Sequence, residues 1–163
     1  SRGIGYAIAK KLLQNDFAVV ITGRNISNLE SVARELGKNV FPLVWNAMGF
    51  DKAEEKINES DNILGGLDIV VNHAGIFAQR NEWDKNSLLK TTAKEWQDVI
   101  NVNASAVFFT MQAAVNYMLK NDIKGNNGDE QGCKKKTVFF SAPPAVSGNQ
   151  IKEHLHCHLL TVP

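Results

Sequence analysis

The sequence predicts an α/β fold in which a parallel sheet is wound with helices on both faces. Three observations predict it. Short β-branched or apolar runs alternate with helical stretches, the links between them are short, and glycine or asparagine punctuates the run ends. Parallel pairing requires that alternation, because a crossover element must carry the chain back before the next strand can pair.

The elements follow in order. From Gly3, the sequence G-I-G-Y-A-I-A-K-K-L-L-Q sets Ile4, Ala7, Ile8 and Leu12 at helical spacing, and Asn15-Asp16 ends the run. Phe17 to Thr22, F-A-V-V-I-T, is apolar and bounded by Gly23, as a strand buried on both faces should be. Ser27 to Leu36 is expected as a helix with Ser27 as N-cap, Glu30 at the capping-box position and Gly37 as C-cap. Asn39 to Trp45 is a second strand, and Asp51 to Leu64 a helix closed by Gly65-Gly66. Leu67 to Asn72, L-D-I-V-V-N, is a third strand. A polar stretch, Gln79 to Lys90, precedes one long helical region from Ala93 to Leu119. Lys136 to Ser141, K-T-V-F-F-S, reads as a fourth strand. The composition changes at Gly125. Residues 1–125 are expected to form the domain, and residues 126–163 a divergent segment with a Gly, Asn and Lys-rich loop, two prolines and a His-rich tail.

Bulk properties narrow the function. At 163 residues there is room for one domain with a sizeable core but not for two. A net charge of +1 shows no basic excess for nucleic acid or a membrane surface, so neither partner is expected. No apolar run approaches the ~20 residues that span a bilayer. Cys133 and Cys157 make no disulfide framework, so a reducing, cytoplasmic compartment is expected. The chain begins at Ser1, already inside a motif, and is expected to be partial.

That motif is Ser1-Arg2-Gly3-Ile4-Gly5. Glycines opening a helix let the backbone approach phosphates, and the helix N-terminus supplies N–H donors and partial positive charge. Alone, the pattern equally describes a tight turn before a helix. Context sharpens it: a strand follows the helix, and Arg24 stands just past that strand. Folds that bind NAD place Asp or Glu there to hold the ribose hydroxyls. A carboxylate would repel a 2′-phosphate, whereas guanidinium binds it with forked hydrogen bonds. NADP is therefore the expected cofactor, with NAD as the alternative, and Arg2 is placed to reach the same phosphate.

These residues carry a family resemblance. Ser1 to Gly5 resembles the end of the T-G-x-x-x-G-I-G loop of short-chain dehydrogenases/reductases, without its Thr-Gly and preceding strand. Asn72-His73-Ala74-Gly75-Ile76 resembles the family's N-N-A-G motif, with His73 at the second Asn. Trp96 to Asn103, W-Q-D-V-I-N-V-N, followed by Ala104 to Phe109, resembles the helix that carries the family's catalytic Asn, here Asn103. The motifs occur in family order. The resemblance implies a Rossmann-type doubly wound parallel sheet, incomplete because the first strand and the C-terminal part are missing. It implies hydride transfer between a nicotinamide and a small-molecule carbonyl or alcohol, and homo-oligomeric full-length relatives. Asn72, Ala74 and Gly75 would lie beside the nicotinamide ribose. Asn46 and Ala47 stand where the family has Asp-Val beside the adenine; Asn46 is equally an ordinary turn residue.

Family catalysis also needs a Tyr with a Lys four residues on, and a Ser for the substrate oxygen. Tyr6 and Lys10 have that spacing but sit in the first helix, as an i,i+4 surface pair. Tyr117 precedes Lys120 by three, and no tyrosine follows it. Ser141 is the candidate serine, or else a strand-end serine with no role. For this chain a non-catalytic dinucleotide-binding or dimerising fragment is therefore a second expectation. His154, His156, Cys157 and His158 are too bunched for a zinc site, so no metal is expected. The loss of periodicity from about Asn126 suggests a departure of reading frame or exon structure from the family. Finally, the family's first strand lies centrally in the sheet. Without it, two unpaired strand edges and an unstable polypeptide are expected.

Overall fold

The computed structural model describes residues 3–76, 87–121 and 138–141, with 87–88 and 138–141 given by backbone alone. Helix α1 (Ile4–Leu13) begins at Gly3, whose φ of 79° lies in the left-handed region that glycine adopts most cheaply. It ends where Asp16 also turns left-handed, at φ 64°, and Phe17 N–H returns to Leu12 C=O. Strand β1 (Val19–Gly23) follows, then α2 (Ile26–Leu36) and β2 (Val40–Val44). A 3-10 turn (Phe50–Lys52) leads into α3 (Ala53–Leu64), which Gly65 closes at φ 67°. Strand β3 (Ile69–Asn72) is followed by a single turn, α4 (Ser87–Lys90). Helix α5 (Ala93–Ile100) runs through a π turn (Asn101–Ser105) into α6 (Ala106–Lys120), and the last described element is β4 (Val138–Ser141).

The strands form one parallel sheet in the order β2-β1-β4-β3. Side chains alternate across it, and that alternation sorts the core into two layers. Val19 and Ile21 face one way, onto Ala9 of α1 and Leu29 and Val32 of α2. Val20 faces the other way, with Leu43 and Trp45, onto Ile57 of α3 and Ala113, Ala114 and Tyr117 of α6. Two helical layers enclosing one parallel sheet is the doubly wound arrangement. Val19, Val20, Ile57 and Leu67 have no exposed surface. Each stabilises the fold by about 1.5–3 kcal/mol relative to an exposed position.

Three expectations are corrected here. The edges expected to lie unpaired are paired: β4 fills the place between β1 and β3, in register Val19↔Val138↔Ile69 through Thr22↔Ser141↔Asn72. Two facing rows of backbone donors and acceptors cost too much to leave dry, and V-F-F-S supplies an extended apolar run to satisfy them. The N-cap of α2 is Asn25, not Ser27; Asn25 Oδ1 accepts the Asn28 N–H at 3.0 Å. Capping two residues earlier lets Ile26 begin the helix. The region from Ala93 to Leu119 is not one regular helix, because the π turn interrupts it. Its start at Ala93 is as expected, held by a reciprocal capping box of Thr92 and Glu95.

A polar fastening joins α3 and α6 within their layer. Tyr117 donates its hydroxyl to Asp61 Oδ1 at 2.6 Å. Burial, and then that carboxylate, hold the phenol protonated far above its ordinary range. Tyr117→Phe is expected to lower stability by about 1 kcal/mol, below the usual range for bonds to charged groups, because half-buried Asp61 regains water. Urea unfolding with an unchanged slope and a lower midpoint would show it.

Candidate functional site

The strands of a parallel sheet all finish at one edge, and there the chain gathers the residues singled out above. β1 ends at Gly23, β3 at Asn72 and β4 at Ser141. Helix α1 packs along β1 and β4, and its C-terminal end joins β1 through a short link, so its Gly3 end points to the same edge. Gly3 caps that helix without a side chain, which leaves the first-turn N–H groups open to an anion. Among the described residues, a Cβ at Gly3 would meet nothing within 4 Å. Ile4 begins the helix, half-buried, and Gly5 is buried in it. Ser1 and Arg2 lie outside the described residues. Arg24 follows β1 directly and is exposed at this edge.

The most defined contact joins two of the motifs. Asn103 Oδ1 accepts the Ile76 N–H at 2.8 Å, and Asn103 Nδ2 donates to Ile76 C=O at 2.7 Å. One side-chain amide thus reads both backbone groups of Ile76 and fixes the segment leaving β3 through Asn72, Ala74 and Gly75. Gly75 lies under the clamp: a Cβ there would stand 3.5 Å from Asn103 Oδ1, an ordinary contact that does not by itself demand glycine. Asn103 sits in the middle of the π turn, closed by Ala106 N–H on Asn101 C=O. A π turn inserts one residue into a helix and re-aims its side chains, and such turns concentrate at functional sites. The sequence signal for it was the run Asn101, Asn103, Ser105, three weak helix formers in a helical stretch. Nothing local announced Ile76 as the partner.

His73, half-buried between Asn72 and the clamped segment, has its pKa lowered by burial, which disfavours the imidazolium. The unfolded chain therefore takes up this proton first as pH falls. The stability His73 contributes is complete above about pH 6.5 and is lost below it. Thermal unfolding from pH 7 to 5.5 is expected to show a midpoint that falls less in His73→Asn than in the parent.

Other predicted positions are placed as follows. Asn46 Oδ1 turns back to accept the Met48 N–H at 3.2 Å, and Asn46 C=O accepts Gly49 N–H at 2.8 Å, a local turn in which Ala47 also lies. Ser141 is in backbone register with Asn72 on one side and Thr22 on the other. Tyr6, whose spacing to Lys10 imitates an acid–base pair, donates its hydroxyl to Glu35 at 2.7 Å and ties α1 to α2. Among the described residues no three His, Cys, Asp or Glu side chains converge as a metal site. The tail residues His154, His156, Cys157 and His158, and Cys133, lie outside them.

The short chain dehydrogenase profile matches residues 1–129, which contain the glycine turn, the Asn72–Ile76 segment and Asn103. The chain belongs to the short-chain dehydrogenase family. It is 33% identical over 120 residues to the 3-oxoacyl-[acyl-carrier-protein] reductase FabG of Buchnera aphidicola, an alignment covering 74% of this chain and 47% of that protein. A short-chain type dehydrogenase/reductase from Mycobacterium marinum superposes with a TM-score of 0.66 at 27% identity, over 76% of this chain and 49% of that one. An alcohol dehydrogenase from Thermococcus sibiricus, solved with 5-hydroxy-NADP, gives 0.61 at 28% identity over 73% and 50%. The chain thus spans about half the length of these family members. The Rossmann-type α/β fold is that of the family. No described helix is long and apolar enough to cross a membrane.

Proposed function

We propose that this chain is the cofactor-binding half of an NADP-dependent reductase or dehydrogenase that interconverts a small-molecule carbonyl and an alcohol. The observation that carries the reading is the shared edge: an uncapped helix start at Gly3, exposed Arg24 and the Asn103-clamped Asn72–Ile76 segment all lie where β1, β3 and β4 finish. The residues fit a dinucleotide. The first-turn N–H groups of α1 receive the pyrophosphate, Arg24 and Arg2 receive the 2′-phosphate, and Asn46 and Ala47 flank the adenine. Asn72, Ala74 and Gly75 border the nicotinamide ribose. When bound, the nicotinamide supplies the hydride. Asn103 holds the loop that orients it, and Ser141, one strand from Asn72, is the group proposed to hold the substrate oxygen.

Titration of the chain with NADPH and with NADH, read by energy transfer from its three tryptophans, tests the proposal. Saturable binding that prefers NADPH is expected, and equal binding of the two would remove the assignment of Arg24. A second reading, a non-catalytic dimerising fragment, is favoured by the outer face of α6. There Phe108, Val115 and Leu119 fall on one side of the helix, 60%, 40% and 76% exposed. Sedimentation velocity separates the readings, since a dimer formed without nucleotide supports the second.

A further inference from the structure

Helices α5 and α6 do not share one phase. In α6 the buried residues Ala106, Thr110, Ala113, Ala114 and Tyr117 form a single stripe on the side that meets α3 and the sheet. At about 100° per residue, an uninterrupted helix would carry that stripe back through Asn103, Val99 and Trp96. The structure carries it through Val102 instead, which is buried, while Asn103 and Ala104 are exposed and Trp96 keeps 62% of its surface open. The same displacement by one residue recurs along α5, where Glu95 and Asp98 are half-buried and Trp96 and Gln97 exposed. The π turn absorbs it, because one inserted residue turns everything before it by about 100°. What each phase would bury decides between them. The uninterrupted helix would set the Asn103 amide toward the core, away from water and from Ile76, and turn Val102 aside. A buried amide without partners is costly, whereas a buried valine is favourable.

We propose that Val102 is a positioning residue for Asn103. Seated where an uninterrupted helix would put Asn103, it sets the phase of α5 and turns the Asn103 amide outward onto the N–H and C=O of Ile76, at 2.8 and 2.7 Å. The π turn is the consequence of that phase rather than its cause. What Val102 does for the reaction rests on the proposed role of the Asn72–Ile76 segment; what it does for the clamp does not.

Two probes respond to the phase in opposite senses. The Ile76 amide is covered when Asn103 faces it, and Trp96 is exposed in that same phase but turned to the core in the other. Hydrogen exchange reads the first. The fluorine signal of 5-fluorotryptophan at position 96, assigned by Trp96→Phe and tested for exposure with a soluble paramagnet, reads the second. Neither involves a nucleotide, so failure here is distinct from failure of the cofactor reading. Val102→Ala removes about two methylene groups of anchoring, so Ile76 exchange is expected to accelerate on the order of tenfold while Trp96 loses solvent exposure. Val102→Ile keeps the anchor and is expected to leave both readings as in the parent. Deletion of exposed Ala104 removes the extra residue with Val102 still inward, and is expected to leave Ile76 protected and Trp96 exposed in a now regular helix. A merely weakened helix would open both probes together. In Val102→Ala, an unchanged Ile76 amide or a Trp96 signal that gains or keeps its exposure overturns the proposal, as does an unprotected Ile76 after the deletion.

Discussion

Arg24→Glu is expected to weaken NADPH binding by about two orders of magnitude while NADH changes only a few-fold. Arg24 follows the last residue of β1 and is exposed at the edge where the glycine turn opens α1. A guanidinium on a phosphate makes charge-assisted bonds of about 1.5–3 kcal/mol, and a tenfold change in affinity corresponds to about 1.4 kcal/mol. Reversal removes those bonds and sets a carboxylate against the 2′-phosphate. NADH has no such phosphate, and Glu is the residue type that holds its ribose hydroxyls in other dinucleotide folds. Arg24→Lys keeps the charge without the fork and should fall between the two. The wild-type preference should also shrink as salt is raised, because an exposed charge pair is screened. Stability is not a confounder. Position 24 precedes Asn25, the cap of α2, and a negative charge near a helix N-terminus is mildly favourable. If NADPH and NADH weaken together in Arg24→Glu, the residue does not read the ribose phosphate.

What the sequence made legible was local. The alternation of β-branched runs with helical spacing located β1, β2 and β3 to within about two residues, since a strand buried on both faces is written as a continuous apolar run. Gly37 and Gly65 marked helix ends because backbone there takes positive φ, 111° and 67°. The Asn25 cap was missed because R-N-I-S offers two capping side chains in three positions, and tertiary packing of Leu29 and Val32 chose between them. The place of β4 was not legible at all. V-F-F-S announces a strand, but which edges it satisfies depends on residues more than a hundred positions earlier in β1. The site divides in the same way. Residue types that suit phosphate and ribose could be read in order along the chain. The bond that organises them, from Asn103 to the backbone of Ile76, links positions 27 apart and uses groups that every residue possesses.

That bond supplies the other large effect. Asn103→Ala deletes an acceptor for Ile76 N–H and a donor for Ile76 C=O together, each at 2.8 Å or less. Two exposed hydrogen bonds stabilise by about 0.5–1.5 kcal/mol each, so the segment should open more easily by about 1–3 kcal/mol. Exchange of the Ile76 amide with deuterium is then expected to accelerate by roughly five- to a hundredfold, while amides of β1, in the buried centre, change little. Asn103→Asp separates the two halves of the clamp. Its carboxylate still accepts Ile76 N–H but sets negative charge against Ile76 C=O, so opening should be intermediate near neutral pH and slower at a pH that protonates the acid. A merely destabilised α5–α6 region would raise exchange throughout both helices and would show no such pH dependence at Ile76. The same variants should weaken NADPH and NADH equally, in contrast to Arg24→Glu. Asn103 orients the loop proposed to border the nicotinamide ribose, which the two cofactors share, whereas Arg24 is proposed to meet only the phosphate that distinguishes them. Preference altered by Asn103→Ala would mean that the clamp reaches the 2′-phosphate end, and that the loop from Asn72 to Ile76 does not face the nicotinamide.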